Sequence, residues 1–271
     1  MKKHFLTTGE FAKLCRTTKE TLFHYDKMNL LKPKHVSENG YRYYGSEQFF
    51  EFDLICLLKE TGTPLKQIRE LVDNMGGERL VSLLEEKRLV IHKEKDRLTQ
   101  REDMLRGMIC CTRESVYLEY DSFQVQEQDE ERLEVLPTAA SPLEPTAEFA
   151  GRFADYVAYY EQEDRIPSYP YGVILAQADL AVGQYLETFL FSRATQFTPE
   201  FQLHIKPGGK YAVLAHQGTV QTHLEAFGGL VTQIRRAGLT IAGDAYVYDM
   251  MSIFLMGGGS VHSSKYCIRV E

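Results

Sequence analysis

The sequence contains no tryptophan and only five cysteines among its 271 residues. The cysteines are scattered, odd in number and without a Cys-x-x-Cys pair, which indicates reduced thiols in a cytoplasm, not a disulfide framework or a zinc finger. No apolar run approaches the ~20 residues that span a bilayer, and Lys2 and Lys3 are not followed by the apolar stretch of a signal peptide. We therefore expect a globular cytoplasmic protein that binds no membrane.

Acidic residues are scarce at the start of the chain. The first 34 residues carry eight Lys or Arg and only three Asp or Glu, whereas residues 113–271 carry 11 basic and 21 acidic side chains. The formal net charge of the whole chain is −7. A basic segment on an acidic body indicates that the segment meets a polyanion. The acidic part favours cationic ligands or simply provides solubility.

Two helix-start patterns lie ten residues apart near the N-terminus. Thr7–Glu10 and Thr17–Glu20 both fit the Thr-x-x-Glu capping box, in which a hydroxyl and a carboxylate satisfy exposed backbone N–H groups. The second helix is expected from about Thr18 to Lys27, so the pair predicts a helix-turn-helix. Asn39-Gly40 predicts a type I′ turn between two short strands, which would form a wing beside it.

Three further helices are expected, and the last is long. Ser46 begins one that reaches about Glu60, and Thr63-Pro64 supplies the cap and first residue of the next. The long helix covers roughly Glu78 to Cys111. Its apolar residues recur every seven positions, which favours pairing with a second copy of the chain over packing on its own domain. The seam consists of Leu84, Ile91, Leu98 and Leu105.

Beyond Tyr117 the sequence alternates between strand and helix patterns. Tyr117 to Val125 predicts a strand, after which Pro137, Pro142 and Pro145 break the chain. Helices are expected at 147–163 and 221–237, and strands at 171–176, 184–192, 202–205, 210–216, 245–255 and 265–270. The order strand-helix-strand-strand thus occurs twice, which predicts an α+β domain with a pseudo-twofold axis.

The N-terminal motifs resemble those of the MerR family of transcription regulators. Thr21–Lys27 with Leu30–Pro33 is similar to the family's recognition helix and its exit, Gly40–Tyr44 to its wing, and Gly62–Leu65 to the start of its fourth helix. The resemblance covers residues 5–75, and the long helix takes the place of the family's antiparallel dimer helix. One departure is Phe23-His24, where the family often has Arg-Tyr. A guanidinium that anchors the DNA backbone is absent there, and His24 is the candidate substitute.

The C-terminal part resembles the GyrI-like effector-binding domain, through the segment Ile205–Val213. The two resemblances together are those of the multidrug-sensing MerR branch. They imply a multidomain α+β protein with a winged helix-turn-helix at 1–76, a dimerisation helix at 77–112 and a duplicated β-α-β-β effector-binding domain at 113–271. They also imply a homodimer on double-stranded promoter DNA that distorts the duplex for RNA polymerase when a small-molecule effector binds, with no cofactor.

Residue chemistry supplies candidates for two kinds of DNA contact. Hydroxyl, amine and imidazole groups of the second helix are expected in the major groove: Thr17, Thr18, Lys19, Thr21 and His24. Phosphate contacts are expected from Lys19, Tyr25, Tyr41, Arg42 and Tyr43. For Tyr25, packing in the core is an equal alternative.

Nine aromatic residues are candidate walls of an effector pocket, with a place in the core of the sheet as the alternative for each: Phe153, Tyr156, Tyr171, Phe189, Phe191, Tyr211, Tyr246, Tyr248 and Tyr266. Phenol faces in acidic surroundings suit lipophilic cations. The family often has a Glu where this chain has Val247, and Asp249, two residues further on the same strand face, is the candidate replacement. If Asp249 points to solvent, a neutral or anionic effector is expected.

Two other functions stay open. A metal-sensing regulator would use Cys110-Cys111, but adjacent cysteines give poor metal geometry and no third thiol lies nearby in sequence. A hydrolytic GyrI-like enzyme would need an acid–base residue such as Asp249, His216 or His204 near a phenol. The sequence shows no Ser-His-Asp or Cys-His pattern, so we expect neither a metal site nor catalysis.

Overall fold

The computed structural model describes residues 5–73, 77–142, 147–250 and 262–271. The chain divides into two compact units, Met1–Glu94 and Lys95–Glu271, and the boundary lies inside the long helix α5 (Gly77–Tyr117). Among the described residues, no helix is long and apolar enough to cross a membrane.

The N-terminal unit is a winged helix-turn-helix. Its elements before α5 are β1 (Phe5–Thr7), α1 (Thr8–Leu14), α2 (Lys19–Lys27), β2 (His35–Val36), β3 (Arg42–Gly45), α3 (Gln48–Glu60) and α4 (Leu65–Asp73). The three strands form an antiparallel sheet in the order β1-β3-β2. The predicted helix-turn-helix and wing are therefore confirmed.

Of the two predicted capping boxes, the structure contains the first one. Thr7 and Glu10 form the predicted box, with the Thr7 N–H donating to Glu10 Oε2 at 2.8 Å. In α2 the cap is Thr18, not Thr17, because the Thr18 hydroxyl accepts from the Thr21 N–H at 3.1 Å. The expected cap at Thr63 is wrong, since its buried hydroxyl has no hydrogen-bond partner.

The wing turn differs from the predicted type I′ geometry. Of Asn39 and Gly40, only Gly40 has a positive φ, at 79°. The Gly40 N–H donates to the Ser37 carbonyl and the Ser37 N–H to the Tyr41 carbonyl. This pattern is typical of the longer hairpin loop in which a glycine follows a type I turn.

One apolar core holds α1, α2, β3 and α3 together. Phe11 and Leu22 are fully buried, and the Phe11 ring stacks on Tyr44 with centroids 4.7 Å apart. Phe52 and Ile55 of α3 complete the cluster. This packing fixes α2 so that only one of its faces meets solvent.

Helix α5 extends six residues beyond the predicted end at Cys111, to Tyr117. The seam side chains are exposed in the single chain: Leu84 36%, Ile91 53%, Leu98 54% and Leu105 59%. An apolar row of this length that its own chain leaves uncovered favours a second copy as the partner.

The C-terminal unit is an eight-stranded antiparallel sheet with helices. After α5 the elements are β4 (Gln124–Gln128), β5 (Glu131–Pro142), α6 (Ala147–Gln162), β6 (Ser168–Leu175), α7 (Gln177–Ala181), β7 (Leu186–Arg193), β8 (Leu203–Lys206), β9 (Gly209–Gly218), α8 (Val220–Arg236), β10 (Ile241–Asp249) and β11 (His262–Val270). The strand order is β4-β9-β11-β10-β6-β7-β5-β8.

The predicted duplication is confirmed, with one strand reassigned. The repeats are β5-α6-β6-β7 and β9-α8-β10-β11, and their strands lie in mirrored order on either side of the β10–β6 pair. The first strand of the first repeat is β5, not the predicted 117–125. Its prolines do not end it, because a register shift between Pro137 and Ser141 accommodates them against β7. Pro145 lies outside the described residues.

Each face of this sheet carries its own core. Helices α6 and α8 cover one face, where Tyr160, Phe227, Val247 and Tyr266 are buried. On the opposite face Phe191, Tyr211, Tyr246, Tyr248 and Cys267 pack with Cys111 of α5. Successive strand residues alternate between faces, so Tyr246 and Tyr248 share the α5-side face while Val247 points to the helices.

Candidate nucleic-acid interface and ligand cavity

The solvent-facing side of α2 is mostly polar, with Phe23 as an exposed apolar residue on it. Thr18, Lys19 and His24 are exposed, and Thr17 and Thr21 are half-buried. The Thr18 and Thr21 hydroxyls lie 3.0 Å apart within the helix cap. The structure thus brings all five predicted groove residues to the first turns of α2 or just before it.

Tyr25 takes the core position that the sequence left as an alternative. The residue is 2% exposed, and its ring lies 6.0 Å from that of Phe52. Burial raises the pKa of its phenol. We therefore leave Tyr25 out of the proposed interface.

Arg42 links the wing to α2. Its Nε donates to Asp26 Oδ2 at 2.7 Å, and its guanidinium lies 5.2 Å from the centroid of the Phe23 ring. Phe23 therefore has a physical role at the position where the resemblance leads us to expect an arginine: it supports the guanidinium of Arg42 by a cation–π contact. Since the Arg42 side chain is still 34% exposed, part of it remains accessible to a phosphate.

The two wing tyrosines differ in exposure. Tyr41 is 67% exposed at the tip of the wing. Tyr43 is half-buried, and its ring stacks with His35 at a centroid distance of 6.0 Å. Tyr41 is accordingly the more accessible of the two phosphate candidates.

A cavity of about 480 Å³ lies on the α5-side face of the sheet, within the C-terminal unit. The second half of α5, the β4–β5 connection and the ends of several strands enclose it. Five acidic and three basic side chains line it, together with Tyr248, Met250 and Cys111. The lining is therefore polar and carries an excess of acidic groups.

At the inner end of the cavity, a lysine ammonium lies among phenol rings. Lys206 Nζ is 4.8 Å from the ring centroid of Tyr211, 5.4 Å from that of Tyr246 and 5.1 Å from that of Tyr248. The side chain is 4% exposed, and burial lowers the pKa of the ammonium, with the nearby Glu131 opposing that shift. We call the rings of Tyr211, Tyr246 and Tyr248 the aromatic cage.

Polar partners complete the surroundings of this ammonium. Lys206 Nζ donates to Gln128 Oε1 at 2.8 Å and to the Tyr248 hydroxyl at 2.9 Å. The Tyr248 hydroxyl donates in turn to Glu131 Oε2 at 2.7 Å, and Lys206 Nζ lies 3.7 Å from the same carboxylate oxygen. Burial, followed by the Glu131 charge, raises the pKa of Tyr248 well above its usual range, so the phenol stays neutral.

A second lysine contacts the same tyrosine. Lys265 Nζ lies 4.9 Å from the Tyr248 ring centroid and donates to Glu114 Oε1 of α5 at 2.5 Å. Each lysine therefore combines one carboxylate with the Tyr248 ring.

The predicted effector residues are distributed over both faces of the sheet. Of the ten predicted effector residues, Tyr248 is the only one in the lining of this cavity, as formed by the described residues. Behind it in the same core lie Tyr171, Phe191, Tyr211 and Tyr246, with Phe153 and Phe189 partly buried against them. Tyr156 and Tyr266 belong to the core on the helix-covered face.

Asp249 lies at the end of β10, at an exposed position outside the cavity lining formed by the described residues. Its backbone oxygen accepts a hydrogen bond from Cys111 Sγ at 3.5 Å. Five other acidic side chains line the cavity, among them Glu131 and Glu114, and the sequence predicts none of them as effector residues. Glu131 belongs to an acidic run before a proline-containing segment, and Lys206 directly precedes Pro207. Both patterns are typical of solvent-exposed turns, so the sequence does not indicate a cavity at either residue.

The two adjacent cysteines of α5 have different environments. Cys110 is exposed, while Cys111 is 5% exposed and burial raises the pKa of its thiol to about 12. A thiol of this kind is a poor metal ligand because the thiolate binds metals. Across the described ranges no group of three or more His, Cys, Asp or Glu side chains has metal-binding geometry.

Two histidines named as acid–base candidates make specific contacts. His204 Nε2 lies 3.0 Å from the Tyr246 hydroxyl. His216 Nδ1 lies 2.5 Å from Asp121 Oδ1, and its Nε2 is 2.9 Å from the Thr222 hydroxyl. The Thr222 hydroxyl also lies 2.9 Å from the Thr219 carbonyl, to which it donates. The Asp-His-Thr arrangement therefore ties β9 to the first turn of α8.

Comparison with known proteins gives similarity along the whole chain. Residues 6–75 match the profile of the MerR HTH family regulatory proteins. The multidrug-efflux transporter 2 regulator of Bacillus subtilis is 30% identical over 270 residues, covering 99% of this chain and 97% of that protein. The multidrug-efflux transporter 1 regulator of the same organism is 26% identical over 255 residues, covering 91% of each. The cryo-electron-microscopy structure of an EcmrR–DNA complex is 18% identical, covers 98% of this chain and 99% of that one, and has a TM-score of 0.43.

Proposed function

This chain belongs to the MerR family of helix-turn-helix regulatory proteins, and on that premise we propose that it binds promoter DNA as a homodimer and responds to a small lipophilic cation. The observation that carries the proposal is the similarity to a multidrug-efflux transporter regulator over 99% of the chain, which includes both units. The proposal places the protein in the cytoplasm, with promoter DNA and RNA polymerase as partners, and assigns it no enzymatic activity.

In the proposed complex, α2 enters the major groove. Its exposed or half-buried polar groups face the base edges: Thr17, Thr18, Lys19, Thr21 and His24. Arg42 and the wing tyrosines contact phosphates beside the groove. The pairing of Arg42 with Asp26 and Phe23 supports this role, because it holds the guanidinium in one orientation before DNA arrives.

The proposed dimer forms along α5. Leu84, Ile91, Leu98 and Leu105 are exposed in the single chain and repeat every seven residues. An antiparallel pair of such helices buries the seam and separates two α2 helices, as an operator with two half-sites requires. Effector binding then changes the DNA geometry so that RNA polymerase can start, which is the family's expected mechanism.

The cavity beside α5 is the proposed effector site. Its five acidic side chains exceed its three basic ones, and Tyr248 presents an aromatic face. Aromatic faces with nearby carboxylates suit lipophilic cations. Glu131 and Glu114 of the lining supply the negative charge that the exposed Asp249 does not bring into the cavity, so a cation remains the proposed effector, with Asp249 as the alternative counter-charge.

The DNA proposal is tested by the affinity of Arg42→Ala for an operator-bearing duplex at several salt concentrations. Loss of one phosphate contact is expected to weaken binding uniformly and to reduce the slope of log K against log salt by about 0.9. Lys93→Ala, at an exposed position two residues after Ile91 and so on the side of α5 opposite the seam, is the control and should change neither quantity. Equal behaviour of the two variants would remove Arg42 from the interface.

The effector proposal is tested by titrating tetraphenylphosphonium into wild type and Asp249→Asn. Saturable binding at one site per chain is expected. Unchanged affinity in the variant would exclude Asp249 as the counter-charge, and absence of binding to the wild type would exclude lipophilic cations as the effector class.

A further inference from the structure

The aromatic cage already contains a cation. Three phenol rings lie with their centroids 4.8–5.4 Å from Lys206 Nζ, which is the distance range of a cation–π contact. Gln128 and Tyr248 accept its hydrogen bonds, and Glu131 supplies the opposite charge. Every group that a bound organic cation needs in this cage is therefore engaged by the chain itself.

We infer that Lys206 is a tethered competitor that occupies the aromatic cage, and that a lipophilic cation binds by displacing its ammonium. This inference rests on the proposed effector function and identifies the place where that effector binds. The cavity reaches the cage, because Lys206, Glu131 and Tyr248 belong to its lining.

The position of Lys206 in the sheet allows its side chain to leave. It is the last residue of β8, which is the outermost strand on its side of the sheet. Pro207 and two glycines follow it directly, and β8 pairs only with β5 in the described sheet. The four-carbon stem of lysine can carry the ammonium to the cavity side without unpairing a central strand.

Hydration determines the direction of the exchange. A lysine ammonium is a compact and strongly hydrated charge, so its burial costs more than that of a large cation whose charge is spread under apolar groups. Burial also lowers the pKa of Lys206, as expected where an ammonium loses part of its hydration. When the two exchange, the ammonium regains water while the lipophilic cation loses little.

The exchange gives the cavity a selectivity rule. Small hydrophilic cations gain no more from the rings than Lys206 does, and they lose their hydration on entry. They should therefore fail to displace it. Lipophilic cations displace it and leave Glu131 as their counter-charge.

The test compares Lys206→Met with wild type and with the charge-matched control Lys210→Met at an exposed position of β9. Methionine keeps an unbranched apolar stem and removes the competing charge. We expect Lys206→Met to bind tetraphenylphosphonium about tenfold more tightly than wild type, the gain of one desolvated cation–π site. The variant should also bind tetramethylammonium, which wild type should not, and Lys210→Met should behave as wild type.

Equal or weaker binding of tetraphenylphosphonium by Lys206→Met, with clear binding by wild type, overturns the tethered competitor and leaves the effector function standing. Binding by neither protein overturns the cationic effector function itself, and the competitor with it.

A measurement on the wild type covers the case in which the variant folds poorly. With 13Cε-labelled lysine, the Lys206 methylene signal should be shifted by the ring currents of the three tyrosines. Saturation with tetraphenylphosphonium should move it to the position of exposed lysines. If the titration shows that the ligand is bound and the Lys206 signal nevertheless keeps its shifted position, displacement is contradicted.

Discussion

Replacing Leu98 by glutamate should dissociate the dimer. Full burial of a leucine side chain contributes about 1.5–3 kcal/mol of free energy. Leu98 is 54% exposed in the single chain, so about half of that contribution is still available to an interface. Covering that remainder contributes about 1 kcal/mol per chain and about 2 kcal/mol per symmetric dimer. Leu98→Glu removes this contribution and also places a carboxylate in the seam, so the dimer dissociation constant should rise at least ~30-fold.

Leu89→Glu is the matched control for this experiment. Leu89 is 56% exposed, and it stands nine residues before Leu98, which places it about 180° away around α5. Sedimentation equilibrium should show a concentration-dependent monomer for Leu98→Glu and an unchanged dimer for Leu89→Glu. If Leu98→Glu stays dimeric, or if both variants dissociate alike, the seam does not form the interface.

Three further perturbations follow from local contacts. Burial raises the pKa of Glu187 to about 7 despite its contact with Arg152, so its stabilising contribution is complete below pH 4.5 and is lost as the pH rises through 7. The unfolding free energy of wild type relative to Glu187→Gln should therefore fall by up to about 3 kcal/mol between pH 5 and 8, and a pH-independent difference in thermal unfolding would contradict this. Thr18→Ala removes the cap of α2 and should reduce the hydrogen-exchange protection of the Thr21 amide about fivefold, a loss of ~1 kcal/mol that Thr18→Ser should not show. Iodoacetamide should modify Cys110 and spare Cys111 in the folded protein by peptide mass mapping, and equal rates would show that Cys111 is accessible.

The N-terminal unit could be predicted because its signals are local. A hydroxyl at position 7 or 18 and a glycine at position 40 act on backbone within a few residues, and the structure shows each of them in a cap or a turn. The errors there are one-residue shifts of a cap or a change in turn type. In contrast, β5 was missed because prolines normally end an internal strand, and only the pairing with β7, remote in sequence, reveals the irregularity that admits them.

The ligand cavity could be predicted only in part for the same reason. Strand alternation predicts that Tyr246 and Tyr248 share a face, and they do. Which face adjoins the cavity depends on the packing of α5 against the sheet, which no local pattern encodes. Lys206 and Glu131 meet through the β5–β8 pair, so their role becomes visible only when the strand order is known.

Dimeric binding to promoter DNA is the property on which the other proposals depend. It can be measured by selecting binding sites from a pool of random duplexes. Wild type should enrich an inverted repeat with two half-sites at fixed spacing, and Leu98→Glu should lose that enrichment. Recovery of no common sequence by the wild type, or of a single half-site by both proteins, would contradict the account.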